Sequence, residues 1–296
     1  MKLIELCAMT QKEMKAFLGK ELKKYYKTVI SHDGFLYARG NMNVCLTSHM
    51  DTVYKEVPKE FECVNGVLSS PQGIGGDDRC GIYMILKLLE RGYKPSIIFC
   101  EDEEIGCIGA GKFARHKDLC EEIGGDCHYI IELDRKGSED AVFYDCDNAD
   151  FTKWIIEKTG YKEKVGTCSD ISTLCPATGI AGVNFSCGYY NEHRGKEEYV
   201  VLDELENTLE MVTRLLQEET KEPFEYIECD YGFGFGEGSI FQIIFNDKDG
   251  NQQETYCEGI TEVEALGYFF MENPTVCFLD LVDLNERRNE YGGFYF

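Results

Sequence analysis

A histidine and an aspartate separated by one residue, His49 and Asp51, are the first candidates for chemistry in this chain. Side chains two positions apart in an extended segment point to the same side. A histidine that binds a metal ion through one ring nitrogen is commonly held by a carboxylate on the other nitrogen. The pair therefore suits a metal ligand with its orienting partner. A surface polar pair is the alternative that so common a triplet leaves open.

Two groups of adjacent carboxylates offer further metal ligands and a general base. Asp77 and Asp78 lie in the glycine-rich segment GIGGDDRCGI, which lacks the spacing of a phosphate-binding loop; capping a helix is their alternative role. Glu103 and Glu104 belong to EDEEIG, where like charges repel unless a cation neutralises them or they face water. Of two adjacent glutamates, one can bind metal while its neighbour moves protons. A solvated acidic turn is the alternative.

Asp134, which follows the apolar run HYIIEL, and His193 complete a set of two imidazoles and three carboxylates. This set suits two zinc ions that share one carboxylate, with Co²⁺ or Mn²⁺ as alternatives. The charges also balance, because two divalent cations offset three carboxylates and one hydroxide and leave Glu103 as an unligated base. The predicted metal ligands are His49, Asp77, Glu104, Asp134 and His193, and the predicted catalytic residues are Glu103 and Asp51.

The candidate residues fall where short apolar strands end. NVCLTS runs directly into His49, SIIFC is followed at once by EDEE, and HYIIEL ends next to Asp134. Helical patterns such as CGIYMILKLLERG and LDELENTLEMVTRLLQEE lie between or after these strands. Strands that alternate with helices predict an α/β fold, with a mixed, mostly parallel sheet sandwiched by helices. In such sheets ligands bind beyond the carboxyl ends of the strands.

The chain of 296 residues has a formal net charge of −24 and a pI of about 4.6. Nucleic acids and anionic membranes bind electropositive surfaces, so this charge argues against both as partners. The sequence contains neither a run of about 18 apolar residues nor a signal-peptide pattern, which predicts a cytoplasmic protein. Its 15 cysteines include no CxxC pair, and we expect them to be reduced and mostly buried.

Charge and composition change near residue 224. About half of the net negative charge lies in residues 225–296, which are also rich in aromatic side chains. We therefore predict a catalytic domain over residues 1–222 and a small, acidic α+β appendage over residues 223–296. In this appendage IFQIIFNDKDGNQQETYC predicts a β-hairpin with its turn at DKDG, EVEALGYFFME predicts a helix and TVCFLDLVDL predicts a strand.

Five motifs occur along the chain in the order SHMDTV, GIGGDDRCGI, EDEEIG, IELD and GTCSDISTLCPATGIAGVNFSCGYYNEHRGKEEYV. Together they resemble the dizinc aminopeptidases and exopeptidases of the peptidase T type, over roughly residues 40–215. That clan also contains carboxypeptidases, acylamino-acid deacylases and related amidohydrolases. The resemblance implies one zinc ion on His49 and Asp134, the other on Glu104 and His193, Asp77 as the bridge, Asp51 as the partner of His49, and Glu103 as general base and acid.

The resemblance also implies a cis peptide bond between Asp77 and Asp78, but in one respect the chain departs from that family. Peptidase T-like enzymes carry a lid or dimerisation domain between the positions that match Asp134 and His193. The segment here is too short for a domain of ordinary size. We therefore expect no lid, and a monomer rather than a lid-mediated dimer. Because the family's lid holds the C-terminal carboxylate of the substrate, tripeptide specificity does not follow from the resemblance.

The leading hypothesis is a zinc-dependent exopeptidase, an aminopeptidase for short di- or tripeptides in which a metal-bridging hydroxide attacks the peptide bond. An N-acyl amino acid amidohydrolase, or deacylase, with the same dizinc site is the second hypothesis. A non-catalytic metal-binding interaction protein is the third. The expected partners are accordingly a short peptide or an acylated amino acid, and neither nucleic acid nor a membrane.

Overall fold

Short apolar strands and amphipathic helices alternate along most of the chain. The computed structural model describes residues 2–166, 168–229, 239–246, 252–259 and 277–283. The chain divides into two compact units, Met1–Cys229 and Asp230–Phe296. In the described part of the chain, no helix is both long enough and apolar enough to cross a bilayer.

The bounds of the described elements are given in chain order. The helices are α1 (Leu3–Cys7), α2 (Gln11–Glu21), α3 (Gly76–Glu90), α4 (Ile108–Ala114), α5 (Lys117–Asp126), α6 (Ala149–Thr159), α7 (Asp170–Thr178) and α8 (Leu202–Leu215). The strands are β1 (Val29–His32), β2 (Phe35–Ala38), β3 (Val44–His49), β4 (Glu62–Val64), β5 (Val67–Ser69), β6 (Ser96–Cys100), β7 (Tyr129–Arg135), β8 (Asp140–Val142), β9 (Lys162–Lys164), β10 (Gly182–Ser186), β11 (Tyr189–Tyr190), β12 (Tyr199–Val201), β13 (Ser239–Asn246), β14 (Gln252–Gly259) and β15 (Cys277–Asp283).

An eight-stranded sheet organises the first unit, in the order β1-β2-β6-β3-β7-β10-β8-β9. Its centre is parallel, because β3 pairs in parallel with both β6 and β7, and β10 pairs in parallel with β7. Antiparallel pairs β1–β2, β2–β6 and β8–β10 make the sheet mixed. The predicted α/β class with a mixed, mostly parallel sheet is confirmed.

Helices cover both faces of this sheet. Every residue of β3 is buried, and successive residues belong to different apolar clusters. Val44 and Leu46 pack in a cluster with residues of α3 and α8, whereas Cys45 packs in a second cluster with residues of α4, α5 and α7. Since the side chains of a strand alternate between the two faces of its sheet, the clusters lie on opposite faces. Burial on both faces explains why the central strands read as continuous apolar runs.

The helix α3 lies very close to β7 because Gly81 has no side chain. A Cβ atom at Gly81 would lie 2.0 Å from the carbonyl oxygen of Leu133, a distance that no packed side chain adopts. This close approach places the first turn of α3, which contains Asp77, beside the end of β7, which contains Asp134. The packing of one helix on one strand thus brings together residues that are far apart in sequence.

The segment between Asp134 and His193 forms β8, α6, β9, α7, β10 and β11. Of these strands, β8, β9 and β10 belong to the main sheet, and β11 belongs to a four-stranded sheet of order β11-β12-β5-β4. The helix α7 packs on β3 and β7. Within residues 135–166 and 168–192 there is therefore no inserted lid domain, as the length of the segment predicts.

Residues 223–229, which composition assigns to the appendage, pack within the first unit. The ring of Phe224 lies 5.0 Å from that of Phe151 and 5.3 Å from that of Trp154. The backbone N–H of Tyr226 donates to the carbonyl oxygen of Gly179 at 2.9 Å. The first unit extends to Cys229, whereas the division into a catalytic domain and an appendage stays a prediction.

The second unit contains a three-stranded sheet of order β14-β13-β15. Antiparallel pairing of β13 with β14 runs from Ser239 opposite Gly259 to Asn246 opposite Gln252, which confirms the predicted hairpin pairing. The predicted strand TVCFLDLVDL is confirmed as β15. The predicted turn DKDG and the predicted helix EVEALGYFFME lie outside the described residues.

Candidate metal centre

Three neighbouring strands place candidate side chains at one edge of the main sheet. His49 is the last residue of β3, Glu103 and Glu104 follow the end of β6, and Asp134 is the penultimate residue of β7. Because β3 is paired in parallel with both β6 and β7, the carboxyl ends of all three strands meet at this edge. Strand order alone therefore brings together four of the predicted residues.

Asp77 occupies the centre of the site. It lies in the first turn of α3, and its peptide bond to Asp78 is cis, as the resemblance implies. Its Oδ1 is 2.9 Å from Nε2 of His49, and its Oδ2 is 3.2 Å from Nε2 of His193, which comes from the loop after β11. One carboxylate thus faces two imidazoles, one with each oxygen.

Each imidazole also faces a second carboxylate. Nε2 of His49 is 3.4 Å from Oδ1 of Asp134, and Nε2 of His193 is 2.9 Å from Oε2 of Glu104. The structure therefore brings all five predicted ligands together, in two groups that share Asp77. That these residues bind metal ions stays a prediction.

Asp78 lies beside the same cluster but has other partners. Its carboxylate accepts hydrogen bonds from Oγ of Ser48 and from the backbone N–H of Gly81, the latter at 2.9 Å. Asp77 and Asp78 each belong to a cluster with His49 whose geometry could hold a metal ion. Because Asp78 is already engaged, whereas Asp77 faces both histidines, we assign the shared position to Asp77.

Asp51 holds His49 from the other side of the ring. Its Oδ1 is 3.2 Å from Nδ1 of His49. Its two oxygens also accept hydrogen bonds from the backbone N–H groups of Glu103, at 3.0 Å, and Glu104, at 3.1 Å. The carboxylate therefore orients the imidazole and anchors the turn that carries both glutamates, which is the position the sequence predicts for it.

The two nitrogens of His49 face hydrogen-bond acceptors, Asp51 on one side and both Asp77 and Asp134 on the other. A neutral imidazole has one N–H, so when Nδ1 donates to Asp51 the lone pair of Nε2 points at two carboxylates. This arrangement is unfavourable unless a proton or a metal cation lies among these groups. Imidazole nitrogens and carboxylate oxygens are also the donors that suit Zn²⁺. The residues present therefore fit the divalent metal ions that the sequence predicts.

Burial and neighbouring charges shift the pKa values of the cluster. Burial raises the pKa of Asp134 well above its usual value, and the charge of Asp77 adds to this effect. Burial by itself lowers the pKa of His49, but the adjacent Asp134 charge and the carboxylate hydrogen bonds outweigh it and raise the pKa well above its usual value. Hydrogen bonds to Asp77 and Glu104 raise the pKa of His193 to about 10. Metal binding must displace protons from such groups, so it weakens as the pH falls.

Glu103 lines a cavity of about 240 Å³ beside the cluster. Burial raises the pKa of its carboxyl group, which suits a residue that takes up a proton and returns it. Arg135 and Lys136 line the same cavity, and Nζ of Lys136 forms an ion pair with Glu192 at 2.5 Å. The cavity thus adjoins the acidic cluster on one side, and its rim carries Arg135 and the Lys136–Glu192 ion pair.

Two residues that hold Asp134 were not among the predicted site residues. Oγ of Ser169 donates to Oδ2 of Asp134 at 3.2 Å, and the Tyr189 hydroxyl donates to Oδ1 at 3.3 Å. Both lie in the last of the five sequence motifs, but a serine and a tyrosine carry no metal-ligand pattern of their own. Only the register of their elements against β7 identifies them.

Glu198 was also not among the predicted site residues. Its buried carboxylate accepts hydrogen bonds from the backbone N–H of Gly76, at 2.7 Å, and of Gly75, at 3.0 Å, and from the Tyr54 hydroxyl at 2.7 Å. The same hydroxyl accepts a hydrogen bond from the N–H of Gly195, at 3.1 Å, in the loop that carries His193. Glu198 therefore fixes the start of α3, where Asp77 lies, and connects it to that loop.

Neither protein-family models nor curated proteins match the chain. Solved structures do: the aminopeptidase PepT of Bacillus cereus is 16% identical with a TM-score of 0.57, and the match covers 73% of this chain and 96% of that one. A tripeptidase of Staphylococcus aureus is 14% identical with a TM-score of 0.55, with the same coverage of 73% and 96%. A Zn-dependent exopeptidase of Parabacteroides distasonis is 14% identical with a TM-score of 0.51, again over 73% and 96%.

Sequence identities this low support a shared fold but do not assign a role to any residue. The structural likeness nevertheless agrees with the resemblance seen in the five motifs, which rests on different information. The chain therefore has the fold of the zinc-dependent exopeptidases, which it shares with these aminopeptidase and tripeptidase structures.

Proposed function

We propose that this chain is a metal-dependent exopeptidase that removes the N-terminal residue from short peptides. The observation that carries this proposal is the arrangement around Asp77, whose two carboxylate oxygens face His49 and His193. Each of these imidazoles has a further carboxylate beside it, and Glu103 lines the adjoining cavity. Paired metal positions next to a free carboxylate are typical of hydrolases that cleave amide bonds.

Two divalent ions, most simply Zn²⁺, would be held by His49 and Asp134 on one side and by Glu104 and His193 on the other, with Asp77 shared. When bound, such ions polarise a carbonyl group and lower the pKa of water. The site supplies two neutral imidazoles and three carboxylates, so its charge closely matches that of two divalent ions and one hydroxide.

Glu103 is the group placed to move protons. Its backbone N–H is fixed by Asp51, and its side chain lines the cavity without being one of the five proposed ligands. Because burial raises the pKa of its carboxyl group, Glu103 can take a proton from the attacking water and give it to the leaving amine. Asp51 acts through its neighbours, by holding His49 and the turn that carries Glu103.

The size and charge of the cavity favour a short substrate. Its volume of about 240 Å³ is below the range of about 300–1,000 Å³ that is usual for ligand pockets. Arg135 at its rim, whose guanidinium lies 3.7 Å from Asp140, offers positive charge to the terminal carboxylate of a short peptide, whereas Lys136 is paired with Glu192. A dipeptide or tripeptide meets both requirements without a lid.

The test uses the full chain, purified and loaded with Zn²⁺, Co²⁺ or Mn²⁺ in separate samples. Metal content is counted, and hydrolysis is followed for dipeptides, tripeptides and the matching N-acetyl amino acids. We expect about two metal ions per chain, as the two donor groups imply, and cleavage only of substrates with a free amine. Cleavage of the N-acetylated series alone would identify an amidohydrolase instead, and the absence of bound metal would overturn the proposal.

A further inference from the structure

Two cysteine side chains meet beside the proposed catalytic carboxylate. Sγ of Cys107, at the start of α4, lies 3.7 Å from Sγ of Cys168, just before α7. The cysteines of residues 2–166 and 168–229 are free, and most of them are buried. Cys107 is buried, whereas Cys168 is exposed and lines the same cavity as Glu103. One thiol of this pair is therefore open to small reagents and the other is behind it.

The two thiols differ in reactivity as well as in exposure. The hydrogen bond between the two thiols lowers the pKa of Cys168 to about 7, so a large share of this exposed side chain is thiolate at neutral pH. The same hydrogen bond, together with burial, raises the pKa of Cys107. An accessible thiolate next to a protonated thiol is the arrangement of a reactive cysteine and its resolving cysteine.

We propose that Cys107 and Cys168 are a peroxide-reactive thiol pair whose reversible oxidation to a disulfide lowers the activity of the adjoining site. The Cys168 thiolate attacks one oxygen of hydrogen peroxide, the O–O bond breaks, and a sulfenic acid and one water form once the leaving hydroxide is protonated. The Cys107 sulfur then attacks the sulfenic sulfur; the S–O bond breaks, and the Cys107 proton leaves with the hydroxide as a second water. Peroxide is reduced by two electrons and the two thiols are oxidised to one disulfide.

The disulfide would act on the site through two direct contacts. Sγ of Cys107 lies 3.7 Å from Oε1 of Glu103, and the backbone N–H of Cys107 donates to the carbonyl oxygen of Glu103 at 2.9 Å. On the other side, Ser169 follows Cys168 in the chain and donates to Asp134. A disulfide needs a sulfur–sulfur distance of about 2.05 Å, so the two sulfur atoms, which are 3.7 Å apart, must approach each other, and this approach would displace the neighbouring Glu103 and Ser169.

Small displacements of side chains in an active site change the rate of the reaction. A misplacement of about 1 Å can lower the rate of an enzyme about 10²-fold. This kinetic consequence rests on the proposed exopeptidase function, whereas formation of the disulfide does not. We therefore expect oxidation to lower kcat by about 10- to 100-fold, and a thiol reductant such as dithiothreitol to restore it.

The experiment treats the metal-loaded full chain with hydrogen peroxide and measures two things separately. Peptide mapping by mass spectrometry detects a cross-linked pair of peptides that contain Cys107 and Cys168 and have lost two hydrogens. The rate of dipeptide hydrolysis is measured before oxidation, after oxidation and after reduction. We expect the cross-link and the loss of rate to appear together and to be reversed together.

Two serine variants separate this pair from the other cysteines. In Cys168→Ser the cross-link is absent, and the ratio of the rates after and before peroxide stays near one. Cys63→Ser changes an exposed cysteine on β4 and should respond to peroxide like the parent protein.

Oxidation of Cys168 to sulfinic acid without a cross-link, or a cross-link that leaves the rate unchanged, would overturn the proposal. If the untreated chain hydrolyses none of the substrates, the proposed function fails, and the peptide map still decides whether the disulfide forms.

Discussion

At the scale of single residues, the Asp51 carboxylate contacts three groups of the site. Its carboxylate faces Nδ1 of His49 and accepts two backbone hydrogen bonds from the turn of Glu103 and Glu104. In Asp51→Asn one carboxylate oxygen becomes an N–H₂ group, which faces one or two of these three donors, so the common anchor of His49 and the turn is weakened. We expect metal affinity to fall about 10- to 100-fold, as is usual for partners of a ligating histidine. Competition with a chromogenic chelator measures this affinity.

Asp33→Asn is the control for Asp51→Asn, since Asp33 is an exposed carboxylate that pairs with Lys112 on the surface. Its loss should leave metal affinity unchanged. Equal affinities in Asp51→Asn and in the parent protein would show that Asp51 does not support His49.

Glu103→Gln tests the proposed proton carrier. The amide keeps the size of the side chain but cannot take up a proton, so kcat should fall about 10²- to 10⁴-fold. Metal content should stay as in the parent protein, because Glu103 is not one of the proposed ligands. Steady-state kinetics and a metal count on the same sample check both statements.

Asp102→Asn is a matched control for Glu103→Gln in the same acidic run. Asp102 has a φ of 61°, a conformation that asparagine adopts readily, and its carboxylate accepts a hydrogen bond from Gln11 away from the cluster. We expect a kcat close to that of the parent protein. A comparable loss of rate in both variants would mean that the run acts through its total charge rather than through Glu103.

The sequence predicts the ligands of this site far better than their supports. His49, Glu104 and Asp134 stand out because each lies at or just after the end of a buried strand, where ligands bind in α/β sheets. No such pattern marks Ser169 or Glu198. Ser169 matters because it contacts Asp134, and Glu198 because it contacts the start of α3. Contacts of this kind depend on the register of distant elements, which spacing along the chain does not encode.

At the scale of elements, the start of α3 depends on a residue from a distant loop. Glu198 is buried and accepts hydrogen bonds from Gly75, Gly76 and the Tyr54 hydroxyl. In Glu198→Gln one oxygen becomes an N–H₂ group that faces other donors, and a buried donor without an acceptor costs about 1–3 kcal/mol. We expect the free energy of unfolding to fall by about this amount. Urea denaturation followed by circular dichroism measures it.

The neighbouring Glu197 provides a control one position away. Glu197 is exposed, so Glu197→Gln should change the free energy of unfolding by less than about 0.5 kcal/mol. If the two variants unfold alike, the hydrogen bonds of Glu198 contribute nothing net to stability. A loss confined to Glu198→Gln, together with weaker metal binding, would show that the start of α3 positions Asp77.

The elements themselves were predictable to different degrees. β3, β6 and β7 are buried along nearly their whole length, so their sequences are mostly apolar and easily recognised. By contrast, β4 is exposed at all three residues, and β11 has two residues. Segments so short show no alternation, and their pairing in the second sheet depends on tertiary contacts. The edge of the main sheet that carries the candidate ligands was therefore easier to predict than the second sheet, which carries the loop of His193.

At the scale of the whole molecule, the net charge of −24 is shared by the two units. All five proposed ligands lie in the first unit, where the proposed metal ions would offset the negative charge of Asp77, Glu104 and Asp134. About half of the excess negative charge lies after residue 224 and includes none of these ligands. Stability that depends on metal should therefore belong to the first unit alone.

Removal of metal by a chelator should lower the melting temperature of the full chain. A ligand at 100 times its dissociation constant stabilises the folded state by about 2.7 kcal/mol, which for a unit of this size corresponds to about 5–10 °C. A chain that ends at Cys229 retains Phe224 and all ligands, so it should show the same shift in differential scanning calorimetry. Asp77→Ala removes the carboxylate shared by both groups and should abolish most of the shift. A shift that persists in Asp77→Ala but disappears in the shortened chain would place the stabilising metal in the acidic second unit, because metal bound at the proposed site must depend on Asp77.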